Sequence, residues 1–244
     1  KESRQLRTIR TDIQPKKTEA HYAVNHNFKK ITVLTGQYGA GKTNLAVNLA
    51  FEMCRYGKVT VTDLDIVNPY FRTSDFTEIF EKKNIKLISP VYANTNLDIP
   101  VLDFDMRFET ENTDFHIVDV GGDDAGAFVL GRYNDVFSTY KDATDMLYVF
   151  NVYRSPDFSV NNIIENIKEI ENASRLRCTG LVNNSNLGNE TDTDVIKNTL
   201  GYADKISELS GLPVLFTCKS NTDKKISEND FPVKIMVSPP WNFT

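Results

Sequence analysis

The sequence has few cysteines and no long apolar segment, and both absences exclude classes of protein. Its 244 residues include three cysteines, Cys54, Cys178 and Cys218, which are far apart and form no CxxC pair. Because zinc and iron–sulfur sites need closely spaced thiolates, we expect neither, and we interpret the cysteines as small core residues in a reducing compartment. No apolar run approaches the roughly 18 residues that span a bilayer, and no signal-peptide pattern follows the basic start. We therefore expect a cytoplasmic protein.

Beyond its first residues the sequence has little positive charge. The net formal charge is −5, yet residues 1–30 contain eight Lys and Arg against three acidic residues, so the rest of the chain carries −10. Because non-specific DNA binding comes largely from phosphate neutralisation, we expect no DNA partner for such an acidic body. The basic segment is either a solvated tail or a contact for an acidic partner or a membrane surface. We interpret residues 1–28 as a basic N-terminal extension and residues 29–244 as the folded domain.

Beyond the basic segment, stretches rich in β-branched and apolar residues alternate with stretches of helical period. This alternation predicts an α/β fold, with a predominantly parallel sheet and helices on both faces. Residues 90–112 are predicted to form an irregular acidic excursion, and the tail from Asn221 is weakly patterned. Gly57 and Gly211 are predicted C-terminal helix caps, and Ser155, which precedes a proline, is a predicted N-terminal cap. The predicted strands are 30–35, 59–62, 85–88, 115–120, 146–152, 179–182 and 213–217, and the predicted helices are 45–53, 74–83, 130–140, 155–170 and 192–210.

A glycine-rich string lies between the first predicted strand and the first predicted helix. Residues 36–43, Gly-Gln-Tyr-Gly-Ala-Gly-Lys-Thr, fit the pattern GxxxxGK[ST] completely. The glycines let several backbone N–H groups face one point, at a helix N-terminus where partial positive charge favours an anion. The lysine of this pattern contacts the β- and γ-phosphates of a nucleotide, and the threonine hydroxyl ligates Mg²⁺. The predicted nucleotide-binding residues are Gly36, Gln37, Tyr38, Gly39, Ala40, Gly41, Lys42, Thr43 and Asn44.

Aspartates close two of the predicted strands. Asp63 and Asp65 end the second strand, and Asp119 ends another, three residues before Gly122. In an open parallel sheet the carboxyl ends of the strands border the ligand crevice, where carboxylates can hold magnesium or orient a water. Gly122 can offer its N–H to a γ-phosphate. The competing interpretations are solvated loop aspartates and a plain β-turn. The predicted metal ligands are Thr43, Asp63, Asp65 and Asp119.

The glycine-rich loop, the D-x-D strand and the D-x-G-G strand together resemble a known family. In this order they look like the MinD/ParA branch of P-loop nucleoside triphosphatases, also called the CobQ/CobB/MinD/ParA nucleotide-binding domain. The resemblance covers about residues 30–218. The stretch 61–72, Val-Thr-Asp-Leu-Asp-Ile-Val-Asn-Pro-Tyr-Phe-Arg, is still more similar to uncharacterised bacterial ATPases of this group. A P-loop fold over residues 29–244 is therefore the expectation.

The resemblance implies roles for individual residues. Lys42, Asp65 and Asp119 would be catalytic, with Asp65 positioning the hydrolytic water and Asp119 acting as the switch aspartate. Asp63 would support the loop and the metal, and Asn183, at the end of its strand, would contact the base. A guanine site would need an acidic residue shortly after that asparagine, and the string Asn-Asn-Ser-Asn has none. The implied cofactors are ATP and Mg²⁺.

The loop departs from the family at two positions. MinD and ParA carry a second lysine early in the loop, which reaches across a nucleotide-sandwich dimer, whereas Gln37 stands there in this sequence and Tyr38 replaces a glycine. A neutral amide cannot supply the missing charge, so the trans-acting mechanism is in doubt. Arg72 or Arg154 could supply a substitute charge at a developing γ-phosphate, or each could be a solvent-exposed arginine.

Three functions are compatible with the sequence. The first is an ATP-dependent switch that hydrolyses ATP slowly and is read by a partner. The second is a small-molecule kinase or ligase resembling dethiobiotin synthetase, with an acceptor pocket formed by residues 103–114 and the Asn-Pro-Tyr-Phe-Arg segment. The third is a nucleotide-binding module that scarcely hydrolyses. The expected partners are ATP or ADP, and a second copy of the chain or an unidentified protein. Membrane attachment is not expected, because three prolines within residues 231–244 prevent an amphipathic helix there.

Overall fold

Eight strands form one sheet in the computed structural model of this chain, which describes residues 28–64, 76–89, 104–122, 124–154, 159–220 and 224–236. Each neighbouring pair of strands is parallel, in the order β3-β2-β4-β1-β5-β6-β7-β8. The parallel α/β sheet predicted from the sequence is confirmed. The strands are β1 (Ile31–Thr35), β2 (Val59–Leu64), β3 (Lys86–Ile88), β4 (Phe115–Val120), β5 (Thr144–Phe150), β6 (Gly180–Asn183), β7 (Val214–Lys219) and β8 (Asp230–Pro232).

The eight α-helices in the described part of the chain are shorter and more divided than the periodicity predicts. The predicted helix 130–140 is interrupted and forms parts of α4 and α5, and the predicted helix 192–210 is divided into α7 and α8. The predicted irregular excursion 90–112 contains α3. The helices are α1 (Lys42–Met53), α2 (Thr77–Lys82), α3 (Met106–Glu111), α4 (Asp124–Gly131), α5 (Asn134–Thr139), α6 (Val160–Ser174), α7 (Thr193–Lys197) and α8 (Leu200–Ser210).

Of the three helix caps predicted from the sequence, one is confirmed and two are wrong. Gly211 ends α8 in the left-handed region at φ 72°, as predicted. Gly57 does not cap α1, because Cys54 is the C-cap. The long helix α6 begins after Ser159, whose hydroxyl accepts a hydrogen bond from the Asn162 N–H at 3.2 Å. The predicted cap at Ser155 is therefore wrong, and that residue itself lies outside the described residues.

Both faces of the sheet are buried. Along β5, Met146, Tyr148 and Phe150 pack on one face, and Leu147 and Val149 pack on the other. Helices α4, α6 and α8 cover the first face, and α1 and α2 cover the second. Each large apolar side chain buried this way contributes roughly 1.5–3 kcal/mol. Because both faces are covered by helices, we expect a ligand to bind at the carboxyl ends of the strands, as in other open parallel sheets.

Phe28 and the cysteines belong to the packed part of the chain. Phe28, the last residue of the predicted extension, contacts Phe231 edge to face, with ring centroids 6.5 Å apart. Cys178 and Cys218 are buried free thiols, and Cys54 is half-buried. Burial raises the pKa of the Cys178 thiol to about 12, so that thiol stays protonated and unreactive. No helix in the described ranges is long and apolar enough to cross a membrane.

The segment after β8 crosses the first turns of α1. The Asn48 side chain pairs with the backbone of Lys234 twice, through Nδ2 to the carbonyl oxygen at 2.9 Å and through Oδ1 from the N–H at 2.8 Å. Asn44 Oδ1 accepts a hydrogen bond from the Met236 N–H at 2.8 Å. The weakly patterned tail therefore contains an ordered strand and a strap that is fixed beside the glycine-rich loop.

His116 joins β2, β4 and α3 through its buried ring. Its Nε2 lies 2.7 Å from Thr62 Oγ1, and its Nδ1 lies 2.8 Å from Thr110 Oγ1. Burial, and secondarily the charge of Lys30, lower the pKa of His116 to about 4. The ring is neutral at physiological pH and serves packing between these three elements.

Acid is expected to remove the stability contributed by neutral His116. The pKa of an unfolded histidine is about 6.5, so the unfolded chain takes up a proton between about pH 6.5 and 4 while the native chain does not. Stability is therefore lost as the pH falls through this window, by roughly 3 kcal/mol from this group. Urea denaturation of the wild type and His116→Gln at pH 7 and pH 4 measures it. The difference in the free energy of unfolding between the wild type and His116→Gln should be smaller at pH 4 than at pH 7 by that amount. The same difference at both pH values would contradict the assignment.

Candidate functional site

The glycine-rich loop connects β1 to α1 and passes close to β5 and β6. Three of its glycines have positive φ: 132° at Gly36, 76° at Gly39 and 84° at Gly41. A Cβ at Gly36 would lie 2.1 Å from the carbonyl oxygen of Val149, and one at Gly41 would lie 2.5 Å from Asn184 Nδ2. Both the conformation and the space at these positions therefore require glycine. The loop shape is the reason for the motif spacing read from the sequence.

Lys42 is the first residue of α1 and points back into the loop. Its Nζ donates hydrogen bonds to the carbonyl oxygens of Gly36 at 2.9 Å and Gln37 at 3.0 Å. The side chain is buried, and Gly41, which precedes it as the N-cap, has no side chain to cap the helix. The N–H groups of the first helical turn and a buried ammonium thus face the same place, which is the arrangement that holds a phosphate anion.

Two of the predicted aspartates lie on neighbouring strands next to this loop. Asp63 on β2 is directly opposite Asp119 on β4, and Asp119 is also opposite Leu34 on β1. Both aspartates are buried. Because β1 leads straight into the loop, these carboxylates stand at the strand ends that border it. Asp65 and Arg72 lie outside the described residues, so their predicted roles stay predictions.

Gly122 packs directly against the glycine-rich loop. A Cβ at Gly122 would lie 2.5 Å from the backbone nitrogen of Tyr38 and 2.9 Å from the carbonyl carbon of Gln37. The segment that follows β4 therefore touches the loop through backbone alone, and glycine is required for this approach. Tyr38 itself turns outward and is 69% exposed. A movement of the glycine-rich loop would therefore displace the segment after β4, and a movement of that segment would displace the loop.

The described residues fit a magnesium ion that is shared with a nucleotide. Within the described ranges, no group of three or more His, Cys, Asp or Glu could hold a metal ion. Magnesium in nucleotide sites is commonly held by one or two carboxylates together with phosphates and waters, so a complete protein cage is not needed. Asp63, Asp119 and the Thr43 hydroxyl supply oxygen donors of the right kind beside the loop.

Asn183 and Asn184 have different surroundings at the end of β6. The Asn183 side chain is fully buried, with Nδ2 donating to Thr199 Oγ1 at 2.8 Å and Oδ1 accepting from the Ser185 N–H at 3.2 Å. Its amide is thus engaged away from the loop, and its predicted base contact stays a prediction. Asn184 Nδ2 donates to the carbonyl oxygen of Ala40 at 2.7 Å, and its buried Oδ1 has no hydrogen-bond partner among the described residues.

Sequence reasoning missed Asn184, although it is the asparagine that contacts the glycine-rich loop. The residue is adjacent to Asn183, and two consecutive asparagines at a strand end offered no basis for choosing between them. A buried carbonyl oxygen without a partner is costly, about 1–3 kcal/mol, and a ligand donor would satisfy it. Asn184 is therefore the better placed of the two to meet a group bound at the loop.

Comparison with known proteins gives similarity of fold and nothing closer. No known protein family matches the sequence, and no curated protein matches it. Similar solved structures include FtsY from Mycoplasma mycoides (19% identity, TM-score 0.48, 79% of this chain and 60% of that chain). Another is the signal recognition particle receptor FtsY from Elizabethkingia anophelis (15% identity, TM-score 0.49, 84% of this chain and 62% of that chain). A third is the signal recognition particle 54 kDa protein from Aeropyrum pernix K1 in complex with GDP (14% identity, TM-score 0.48, 78% of this chain and 41% of that chain).

These similarities are too distant to assign a function to the chain. The chain spans less than two thirds of the length of each of these three structures. All three identities are below 20%, and all three TM-scores are below 0.5. The function is therefore argued from the geometry of this chain, in which a glycine-rich loop lies between β1 and α1 with two aspartate-bearing strands beside it.

Proposed function

We propose that this chain is a Mg-ATP-binding P-loop ATPase of MinD/ParA type, which hydrolyses ATP to ADP and phosphate and acts as a nucleotide-dependent switch. One observation carries the proposal: a loop with three left-handed glycines and a buried Lys42 lies beside the paired carboxylates Asp63 and Asp119. Such an arrangement neutralises phosphates and supplies oxygen donors to a metal at the same edge of the sheet.

Each predicted residue has a task in this proposal. Residues 36–44 hold the phosphates, with Lys42 on the β- and γ-phosphates. Thr43, Asp63 and Asp119 contribute to the magnesium site when a nucleotide is bound, and Asp65 positions the attacking water. Gly122 offers its N–H to the γ-phosphate. Because Gly122 touches the loop backbone, loss of the γ-phosphate would release the segment after β4, which is how an order change can signal the nucleotide state.

Adenine is the base favoured by the chain. A specific guanine site of the N-K-x-D kind has an acidic residue three positions after its asparagine. Counted from Asn183 that position is Asn186, and counted from Asn184 it is Leu187, so neither choice supplies a carboxylate. We assign the base side of the site to Asn184, whose Oδ1 can accept a hydrogen bond from an amino group such as that of adenine.

The described part of the acidic excursion gives little support to a kinase or ligase pocket. Lys86 Nζ pairs with Glu109 at 2.6 Å, Arg107 pairs with Asp135 at 2.9 Å, and Thr110 contacts the His116 ring. These side chains fix α3 to the rest of the protein and are engaged there. The Asn-Pro-Tyr-Phe-Arg segment lies outside the described residues. We therefore retain hydrolysis as the proposed reaction.

A nucleotide-hydrolysis assay combined with sizing tests the proposal. Phosphate release is measured with ATP and GTP, with and without Mg²⁺, and the molecular mass is measured without nucleotide, with ADP and with a non-hydrolysable ATP analogue. We expect slow, magnesium-dependent release from ATP in preference to GTP. Stimulation by a metabolite would favour the kinase or ligase alternative. Tight binding without release would favour the non-hydrolysing module, and absence of binding would reject the proposal.

Asp65→Ala is expected to bind ATP and hydrolyse it poorly. Asp65 is assigned to the attacking water and not to the phosphates, so its loss should change turnover by about 100-fold or more and the ADP dissociation constant by less than about threefold. Asp142→Ala is the matched control, because Asp142 is exposed and lies just before β5, at the opposite edge of the sheet. Full turnover by Asp65→Ala would remove that residue from the mechanism.

A further inference from the structure

A cation in addition to Lys42 would assist hydrolysis at this site. In phosphoryl transfer, negative charge at the γ-phosphate is stabilised by fixed cations and donors, and an arginine is a common supplier. Lys42 is held inside the loop by two backbone carbonyls, and the neutral Gln37 contributes no charge at the loop entrance. A second cation would therefore have to come from a residue beside the exposed side of the loop.

Among the described residues, Arg154 lies beside the tip of the loop at Gly39. A Cβ built on Gly39 would lie 4.0 Å from the Cβ of Arg154. Gly39 is exposed, and a Cβ at this position would point toward the segment after β5. A long arginine side chain that starts at this point can reach across the loop entrance.

The segment that carries Arg154 is held by a network of hydrogen bonds. The Arg154 N–H donates to the carbonyl oxygen of Asn151 at 3.3 Å, and Asn151 Oδ1 accepts from the Tyr153 N–H at 3.0 Å. Asn151 Nδ2 donates to the carbonyl oxygen of Asn186 at 3.2 Å. Tyr153 Oη donates to the carbonyl oxygen of Val195 at 2.6 Å. The backbone of Arg154 is thus positioned before any ligand binds.

The same network includes the glycine-rich loop. Val152 N–H donates to Ser185 Oγ at 3.1 Å, and the adjacent Asn184 donates to Ala40 in the loop at 2.7 Å. Arg154 and the loop are therefore both attached to the segment after β6. A fixed frame of this kind is what makes a charged group effective in catalysis, because little reorganisation is needed when charge develops.

Arg154 is also available, unlike several other arginines in the described part of the chain. It is exposed, and none of the ion pairs between described residues includes it. Arg55, Arg107 and Arg177 each pair with a carboxylate. The guanidinium of Arg154 is thus not neutralised by an acidic neighbour among these residues.

We propose that Arg154 is a catalytic residue that acts in cis, contacting the terminal phosphate of ATP bound to the same chain. This rests on the proposed ATPase function. In the reaction, a bond forms between the water oxygen and the γ-phosphorus while the bond from that phosphorus to the β–γ bridging oxygen breaks. ADP leaves with the electron pair, and the proton of the water passes to the phosphate product. Arg154 stays protonated throughout and balances the charge that shifts onto the phosphate oxygens.

The test compares Arg154→Ala, Arg154→Lys and the control Arg177→Ala, which removes an exposed arginine that precedes β6, at the far edge of the sheet. We expect Arg154→Ala to lower kcat about 100-fold or more while the ADP dissociation constant changes less than about twofold. Arg154→Lys should recover part of kcat, because it retains the charge without the planar fork. Arg177→Ala should match the wild type. Equal losses in kcat and ADP affinity, or no recovery with lysine, would indicate a structural role and overturn the proposal.

Mixing two inactive variants tests whether Arg154 acts in cis. If Arg154 served the site of a partner chain, Lys42→Ala with an intact arginine would restore hydrolysis to Arg154→Ala. In cis, the mixture should stay as inactive as the sum of its parts. Restored activity would overturn the cis assignment. Wild-type protein that binds ATP without hydrolysis would reject the ATPase function and the arginine role with it, whereas an active Arg154→Ala would reject the arginine role alone.

Discussion

Lys42→Ala should abolish nucleotide binding and leave the fold in place. The substitution removes the positive charge that lies inside the loop, where Lys42 Nζ contacts the carbonyl oxygens of Gly36 and Gln37. Charge-assisted contacts to phosphate contribute about 1.5–3 kcal/mol each, so losing the contacts to two phosphates should weaken ATP and ADP binding by about 100-fold or more. Titration calorimetry with ADP and Mg²⁺ measures the loss directly.

The fold is expected to tolerate this change because the loop keeps its other supports. Lys42→Ala deletes two hydrogen bonds to Gly36 and Gln37, and each contributes roughly 1–2 kcal/mol in the absence of ligand. The tether from Asn184 to Ala40 remains. Lys168→Ala, on the exposed side of α6, is the matched control for loss of one lysine. Tight ADP binding by Lys42→Ala would show that the loop is not the phosphate site.

The shape of the glycine-rich loop could be predicted from the sequence because its requirements are local. Glycine permits the positive φ found at Gly36, Gly39 and Gly41, and the residue pattern predicts a buried strand before them and a helix after them. The carboxyl-edge position of Asp63 and Asp119 follows from parallel pairing, which alternation of strands and helices predicts. These features depend on contacts that are short in sequence or on a regular sheet.

Contacts between distant segments could not be predicted in the same way. Asn48 bonds locally to the Asn44 carbonyl oxygen, but its two hydrogen bonds to the backbone of Lys234 span 186 positions. The choice between Asn183 and Asn184 depends on which side chain meets Ala40, a contact that spans 144 positions. Such pairings are decided by packing of the whole sheet, and a single sequence carries no periodic signal for them.

The division of two predicted helices also has a physical reason. Apolar residues keep a helical spacing through 130–140 and 192–210, because both halves of each pair bury apolar side chains: α4 and α5 share one core cluster, and Ile196 in α7 and Ile206 in α8 are both buried. Periodicity therefore continues across a break that turns the chain. Asp192 caps α7, and a turn at residues 198–199 separates α7 from α8. Polar residues at such breaks satisfy backbone groups locally, which hydrophobic spacing does not report.

Gly36→Ala should destabilise the protein more than any other single methyl group added to the loop. The new Cβ would lie 2.1 Å from the Val149 carbonyl oxygen, which belongs to the central strand β5, and the native φ of 132° is one that alanine avoids. Overpacking and backbone strain each cost about 1–3 kcal/mol, so a combined loss of about 3 kcal/mol or more is expected. Chemical denaturation of the apo protein measures it without involving ligand.

Gly201→Ala provides the opposite case within the same chain. Gly201 lies in the first turn of α8, its φ is not positive, and a Cβ there would meet nothing within 4 Å. Alanine should stabilise this helix by up to about 1 kcal/mol, since it restricts the unfolded chain and favours the helix. The two substitutions add the same methyl group, so changes of opposite sign in the free energy of unfolding can be attributed to the surroundings of each glycine. If Gly36→Ala were neutral, there would have to be space between Gly36 and β5 for a methyl group, and the tight loop required by the proposed nucleotide site would not exist.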